Sequence, residues 1–256
     1  MSDLDATTPR VFLARHGETE WTISGQHTGT TDLPLTPLGE RQVSSTGRLL
    51  VGPGKLIDPR RVQRVWVSPR RRARRTFQLL FGSLPVPPSA DSEGGGEEVA
   101  GVKVEGLFGG GIGSVVVSER IREWDYGEYE GMRPDEVRES RRRMGMEKEG
   151  DPPWSVWRDG CVGGESKADI EERLDRLIGE IKELQKPYME SGGNGDIVLV
   201  AHGLILRCFV KRWLDLPVDD SLPMLLSPGS IAILSYKKHD IKQPAFYMGM
   251  ALPAGE

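Results

Sequence analysis

Two segments of the chain share one pattern, in which a short apolar run ends in a His-Gly pair. VFLAR at 11–15 leads into His16, and DIVLVA at 196–201 leads into His202. A run of this length bounded by a polar corner predicts a buried strand. In open sheets the carboxyl ends of parallel strands meet at one crevice, where ligands bind. We therefore expect the two imidazole rings to face each other across a site.

The rest of the chain alternates between strand and helix patterns. A third apolar run, RVWVSPRR at 64–71, also ends at a polar corner. The other predicted strands are 115–119, 231–236 and 245–250, and the predicted helices are 36–50, 70–81, 133–144, 166–185 and 204–214. Alternation with helices of crossover length predicts a three-layer αβα sandwich around a mostly parallel sheet. We expect a single domain over residues 1–256.

One stretch differs in composition from its surroundings. Residues 82–114 are rich in Gly, Pro and Ser and poor in large apolar side chains. Such a segment buries too little apolar surface to offset the entropy of ordering. We interpret it as a disordered or mobile surface insertion.

Charge and hydropathy limit the partners. The formal net charge of -4 argues against nucleic acid or an anionic membrane as the main partner. No apolar run approaches the roughly 18 residues needed to span a bilayer, and the first ten residues do not resemble a signal peptide. The cysteines, Cys161 and Cys208, form no cluster, which is typical of a reducing compartment. We expect a cytoplasmic protein.

The arginine-rich run RRRARR at 70–75 has an alternative interpretation as a nuclear-localisation or nucleic-acid-binding patch. The acidic net charge and the lack of interleaved aromatic residues favour a solvated helix face, with only Arg72 turned inward. The nucleus remains the alternative location.

Arginines decide which ligand the histidine pair is expected to bind. Arg15 adjoins His16, Arg72 follows the third predicted strand, and Arg207 lies five residues after His202. A guanidinium group matches the oxygens of phosphate or carboxylate. A histidine pair is also able to ligate a metal ion, but HGE and AHG lack both a His-x-x-x-His spacing and a nearby carboxylate pair, so there is no clear third ligand. We expect a phosphate site with no metal and no cofactor.

Five segments together resemble a known family. RHGETEW at 15–21, the following SGQHTGTTDLPLTPLGERQ, SPRRRARRT at 68–76, REWDYGEYEG at 122–131 and VAHGLILR at 200–207 resemble the histidine phosphatase superfamily, in its phosphoglycerate-mutase-like branch. The resemblance covers about residues 11–214 in the family's order. SGQHTGTTDLPLT, WSVWRDGC at 154–161 and IAILSYKKHDIKQPAF at 231–246 look like the fungal sugar-bisphosphatase members of that family.

The resemblance implies a role for each catalytic residue. His16 would be the phosphohistidine nucleophile, with Arg15, Arg72 and His202 holding the phosphoryl oxygens and Glu123 donating the proton. The chemistry agrees, because phosphoryl transfer depends on positioning and on cationic donors around the equatorial oxygens. From the residues alone, two other carboxylates compete with Glu123 for the proton-donor role, namely Glu18 and Asp125.

The resemblance also implies a substrate-binding set. His27, Thr28 and Gly29 lie in the segment that contacts the substrate phosphate, and Tyr126 and Arg207 are candidate contacts to the sugar or to its distal phosphate. We therefore expect a phosphorylated small molecule as partner. The oligomeric state is left open, and a homo-oligomer is compatible with the sequence.

Departures from the family's mutases weaken a mutase function. Where those mutases carry an Asn and an Arg-Phe pair, this sequence has Thr22, Gln26 and His27. The expected activity is hydrolysis of a sugar bisphosphate such as sedoheptulose 1,7-bisphosphate. The alternatives are another phosphomonoesterase, a phosphoglycerate mutase, or a non-catalytic binding protein that keeps the fold.

Overall fold

The structure, a computed structural model, describes residues 8–82, 102–104, 112–191, 193 and 195–249. The strands are β1 (Val11–Arg15), β2 (Val62–Val67), β3 (Val102–Val104), β4 (Ile112–Val117), β5 (Asp196–Ala201), β6 (Ile231–Tyr236) and β7 (Pro244–Phe246). The helices are α1 (Glu20–Ser24), α2 (Pro37–Leu50), α3 (Arg71–Leu80), α4 (Pro134–Arg143), α5 (Val156–Asp159), α6 (Lys167–Gln185), α7 (Tyr188–Ser191) and α8 (Gly203–Trp213). All five predicted helices are present, and the short helices α1, α5 and α7 were not predicted.

The seven strands form one sheet in the order β3-β4-β2-β5-β1-β6-β7. The four central strands, β4, β2, β5 and β1, are parallel, while β3, β6 and β7 pair antiparallel with their inner neighbours. In the β1–β5 ladder Val11 lies opposite Ile197 and Arg15 lies opposite Ala201. His16 and His202 therefore leave the sheet side by side at its carboxyl edge.

Helices cover both faces of the sheet. Val11 and Leu13 of β1 belong to an apolar cluster with side chains of α6 and α8, whereas Phe12 and Ala14 belong to a second cluster with side chains of α2 and α3. Strands buried on both faces need apolar residues at every position, which explains the unbroken runs in the sequence. The three-layer αβα sandwich with a parallel centre is confirmed.

Regular structure enters the segment that was predicted to be a disordered insertion. Strand β3 pairs antiparallel with β4, with Val102 opposite Val115 and Val104 opposite Ile112. Strand β4 therefore begins three residues before its predicted start. It ends at Val117, because the Ser118 hydroxyl then accepts the Arg120 N–H at 3.3 Å and starts a short 3-10 turn. The other residues of this prediction, 83–101 and 105–111, lie outside the described residues.

Candidate active site

His16 stands where β1 ends against α2. Thr36 caps α2 by accepting the Gly39 N–H at 3.0 Å, and this turn lies against Gly17. A Cβ atom at Gly17 would lie only 2.5 Å from the Gly39 carbonyl oxygen. A side chain at residue 17 would therefore push the helix away from the strand end, so the close approach requires glycine.

The hydrogen bond of His16 defines its tautomer. Nδ1 donates to the Gly17 carbonyl oxygen at 2.7 Å, which leaves the lone pair of Nε2 unused. Burial lowers the pKa of His16 from 6.5 to about 3, and the positive charges of Arg72 and Arg15 add to the effect. The ring is therefore neutral at pH 7, as a nitrogen nucleophile must be.

His202 packs directly against His16. The two ring centroids are 5.0 Å apart at an interplanar angle of 64°, which confirms that the rings meet. Nδ1 of His202 accepts a hydrogen bond from Nε of Arg72 at 3.1 Å, so Nε2 carries the proton and donates to the Ser68 hydroxyl at 2.6 Å. Burial, assisted by the charge of Arg72, holds the pKa of His202 well below its usual value.

Sequence reasoning missed Ser68, although its position held a signal. Ser68 follows β2 directly, so it belongs to the same strand-end pattern that identified the two histidines. Its hydroxyl fixes the orientation of the His202 ring from the third strand of the parallel centre.

Arg72 is turned inward, as expected, and is only 1% exposed. Beyond His202, its guanidinium donates to the Thr31 carbonyl at 2.8 Å and to the Thr28 carbonyl at 3.0 Å. Arg72 and His202 are not among the residues that line the cavity described below. Arg72 thus joins the 28–31 loop to His202.

A cavity of about 660 Å³ opens over His16. Of the predicted site residues, those that line it are Arg15, His16, His27, Thr28, Glu123, Tyr126 and Arg207. The lining also includes residues that sequence reasoning did not assign, among them Thr19, Trp21, Pro134, Arg138, Trp154 and Trp157. Among the residues that the structure describes, the charged side chains of the lining are three arginines, at 15, 138 and 207, and one carboxylate, Glu123. The wall therefore favours an anionic ligand.

Arg15 is the cation next to the nucleophile. Its Nη1 donates to the Leu226 carbonyl oxygen, and its buried Nε has no hydrogen-bond partner within the described residues. Burial lowers the pKa of Arg15, but a guanidinium group remains charged near neutral pH. Arg15 thus offers an unused donor beside His16.

Glu123 is the only one of the three competing carboxylates that lines the cavity. It accepts the Leu204 N–H at 3.1 Å and the Ile205 N–H at 2.9 Å, at the start of α8. By contrast, Glu18 accepts the Thr36 hydroxyl at 2.8 Å, and Asp125 accepts the Gly127 N–H at 3.0 Å. Its location at the cavity therefore distinguishes Glu123 from Glu18 and Asp125.

The predicted substrate-binding residues divide into two groups. His27 stacks on Tyr126 with 4.5 Å between ring centroids, and both line the cavity with Thr28 and Arg207. Gly29 does not line it, because its N–H donates to the Glu130 carboxylate at 2.9 Å. A Cβ atom at Gly29 would lie 2.2 Å from the Trp124 carbonyl oxygen. Gly29 thus has a packing role here, and its expected contact to substrate stays a prediction.

No group of three or more His, Cys, Asp and Glu side chains is placed to hold a metal ion in the part of the chain that the structure describes. Within those same residues, no helix has the length and apolar character needed to cross a membrane.

Comparison with known proteins identifies the family of this chain. The model of the histidine phosphatase superfamily, branch 1, matches residues 11–94 and 103–245. Sedoheptulose 1,7-bisphosphatase of Saccharomyces cerevisiae is 36% identical, covering 94% of this chain and 93% of that protein. An acid phosphatase of Mycobacterium tuberculosis is 33% identical, covering 92% and 90%. A solved structure from Mycobacterium tuberculosis matches with a TM-score of 0.67 at 28% identity, covering 94% of this chain and 96% of that one.

The family match and the phosphatase relatives show that this α/β protein is a phosphoric monoester hydrolase. The family match extends over both strands of the histidine pair and over the arginine-bearing segments between them. The chain belongs to the histidine phosphatase superfamily, in its branch 1.

Proposed function

We propose that this protein hydrolyses one phosphate ester of a sugar bisphosphate, with sedoheptulose 1,7-bisphosphate favoured, through a phosphohistidine at His16. The observation that carries the proposal is the free Nε2 of a neutral His16 in the wall of a cavity that also holds three arginines. The 36% identity to the yeast sedoheptulose 1,7-bisphosphatase supports the choice of substrate.

In the first step, the Nε2 lone pair of His16 attacks phosphorus as the bond to the ester oxygen breaks. The Glu123 carboxyl group gives its proton to the leaving oxygen, which departs as an alcohol. Arg15 stabilises the phosphoryl oxygens, and His202 does so when its Nε2–H turns from the Ser68 hydroxyl to a phosphoryl oxygen. Arg72 joins them when its Nη groups exchange the carbonyls of the 28–31 loop for phosphate oxygens.

In the second step, water attacks the phosphorus atom of phospho-His16. The Glu123 carboxylate takes one proton from that water, the P–N bond breaks, and inorganic phosphate leaves. His16 is neutral again and Glu123 is protonated again, so the cycle closes. Because cationic side chains compensate the phosphate charge, the scheme requires no metal ion.

Another phosphomonoesterase activity is the second candidate, and the 33% identity to the mycobacterial acid phosphatase favours it. It uses the same two steps with a monophosphate. The cytoplasmic location and the oligomeric state stay predictions.

The test is a phosphate-release screen over sugar bisphosphates, sugar monophosphates and 3-phosphoglycerate. Wild type is compared with His16→Ala and with a matched control, His239→Ala, whose ring bonds to Thr8 outside the cavity at 3.0 Å. We expect the highest kcat/KM on a sugar bisphosphate, no activity in His16→Ala and full activity in His239→Ala. Interconversion of phosphoglycerates without net phosphate release would instead identify a mutase.

A labelling experiment separates this chemistry from direct hydrolysis. Brief incubation with substrate carrying ³²P at the reacting phosphate should trap an acid-labile, base-stable phosphoenzyme in wild type and none in His16→Ala. Label found on serine or aspartate contradicts the His16 mechanism. Full activity of His16→Ala would favour a non-catalytic role for this histidine and remove the basis of the proposal.

A further inference from the structure

Helix α4 forms one wall of the cavity. The sequence predicted this helix but not its place beside the cavity. Pro134 and Arg138 are four residues apart, hence on the same helix face, and both line the cavity. Val137, between them, is fully buried and holds the helix on the core. Arg138 itself is exposed, so its long side chain reaches the cavity from the solvent side.

The three arginines that line the cavity differ in the contacts that they already make within the protein. Arg15 donates to the Leu226 carbonyl, and Arg207 donates through Nε to the Gly203 carbonyl at 2.9 Å and lies 5.7 Å from the centre of the Trp157 ring. Arg138 makes neither a hydrogen bond nor an ion pair with any residue that the structure describes. Its full set of guanidinium donors is open to a ligand.

The charges of the lining are also unbalanced. Glu123 is the single carboxylate against three arginines, and its oxygens already accept backbone N–H groups of α8. Burial is the main cause that lowers the pKa of Arg15; the charge of Glu123 opposes this shift and the charge of Arg207 adds to it. A ligand with two anionic groups relieves this repulsion better than a ligand with one.

We propose that Arg138 binds the second, non-reacting phosphate group of the substrate and thereby makes the enzyme prefer bisphosphates over monophosphates. The inference rests on the proposed function. The reacting phosphate occupies Arg15 next to His16, so the second phosphate needs a different cation. A guanidinium fork with no other partner matches its oxygens.

The experiment measures kcat and KM of wild type, Arg138→Ala, Arg138→Lys and Arg143→Ala on sedoheptulose 1,7-bisphosphate and on p-nitrophenyl phosphate. Arg143 is the matched control, because it is an exposed arginine at the end of the same helix that does not line the cavity. Since Arg138 is on the surface, we expect the melting temperatures of all variants to agree with that of wild type.

In Arg138→Ala, we expect the ratio of kcat/KM for the bisphosphate to kcat/KM for p-nitrophenyl phosphate to fall by about tenfold or more, the usual cost of losing a charge-assisted contact. The loss should appear mainly in KM. Arg138→Lys should recover part of the ratio, and Arg143→Ala should keep it.

Two outcomes overturn the inference, and they are distinguishable. If wild type hydrolyses the bisphosphate and Arg138→Ala keeps the wild-type ratio, the Arg138 contact is wrong while the proposed function stands. If wild type releases phosphate from p-nitrophenyl phosphate but from no sugar bisphosphate, the proposed function fails and the Arg138 contact fails with it.

Discussion

The protonation state of His16 directly tests the electrostatics of the site. Its pKa is lowered from 6.5 to about 3, first by burial and then by Arg72 and Arg15. At pH 5 a histidine with a pKa of 6.5 is only about 3% neutral, whereas one with a pKa near 3 is about 99% neutral. The structure therefore predicts about thirty times more neutral nucleophile at pH 5 than an ordinary histidine would supply.

The same shift makes folding depend on pH, and its sign follows from proton binding. Between pH 6.5 and about 3 the unfolded chain binds a proton at residue 16 that the folded protein excludes. The free energy of unfolding therefore falls as the pH is lowered through this window, and the contribution of His16 levels off above about pH 7.5. From about pH 7.5 to pH 5 the contribution of His16 falls by about 2 kcal/mol, because the slope approaches about 1.4 kcal/mol per pH unit below pH 6.5.

The assay is a side-chain ¹⁵N NMR titration of the histidines, four in the whole chain. The spectrum of His16→Gln assigns the resonance of His16, and the protein unfolded in urea supplies the reference titration. We expect the His16 resonance to keep its neutral, Nδ1-protonated signature at pH 5, while the unfolded reference is mostly protonated. A titration midpoint above about pH 5 in the folded protein would refute the burial argument.

Three further predictions test other parts of the site. Ser68→Ala leaves the buried Nε2–H of His202 without an acceptor, so we expect a loss of about 1–3 kcal/mol in the free energy of unfolding, measured by denaturant titration, and a lower kcat. The control is Ser235→Ala, at a buried serine outside the cavity. It should lower stability in the same titration without lowering kcat. Glu123→Gln should lower kcat by roughly 10²–10⁴-fold on sugar phosphates but less on p-nitrophenyl phosphate, whose leaving group needs no proton; an equal loss on both substrates contradicts its role as proton donor. Dialysis against EDTA should leave phosphate release unchanged, and a loss that a divalent ion restores contradicts the metal-free scheme.

Many of the strands and helices could be predicted from the sequence, because the patterns that define them are local. The apolar runs before His16 and His202 end within one or two residues of the observed strands, and all five predicted helices exist. The Thr36–Pro37 start of α2 was visible because an N-cap hydroxyl and a proline at the first helical position act within one turn.

The sequence did not reveal the contacts between distant segments. Arg72 was expected to turn inward, but its bonds to the carbonyls of Thr28 and Thr31 require the 28–31 loop to fold back over α3. Gly29 matched a family segment, yet its N–H is taken by Glu130, about a hundred residues away. Neither hydrophobic periodicity nor a capping residue in either segment indicates such a long-range contact.

The sequence by itself determined that two histidines follow buried strands, since a strand pattern and the residue after it are properties of a dozen consecutive positions. Only the tertiary structure decided which carboxylate reaches the cavity and which arginine is left without a partner. Glu123 is selected by its bonds to the start of α8, 81 residues away, and Arg138 by the packing of α4 beside the nucleophile. Those choices depend on which surfaces meet when the layers pack.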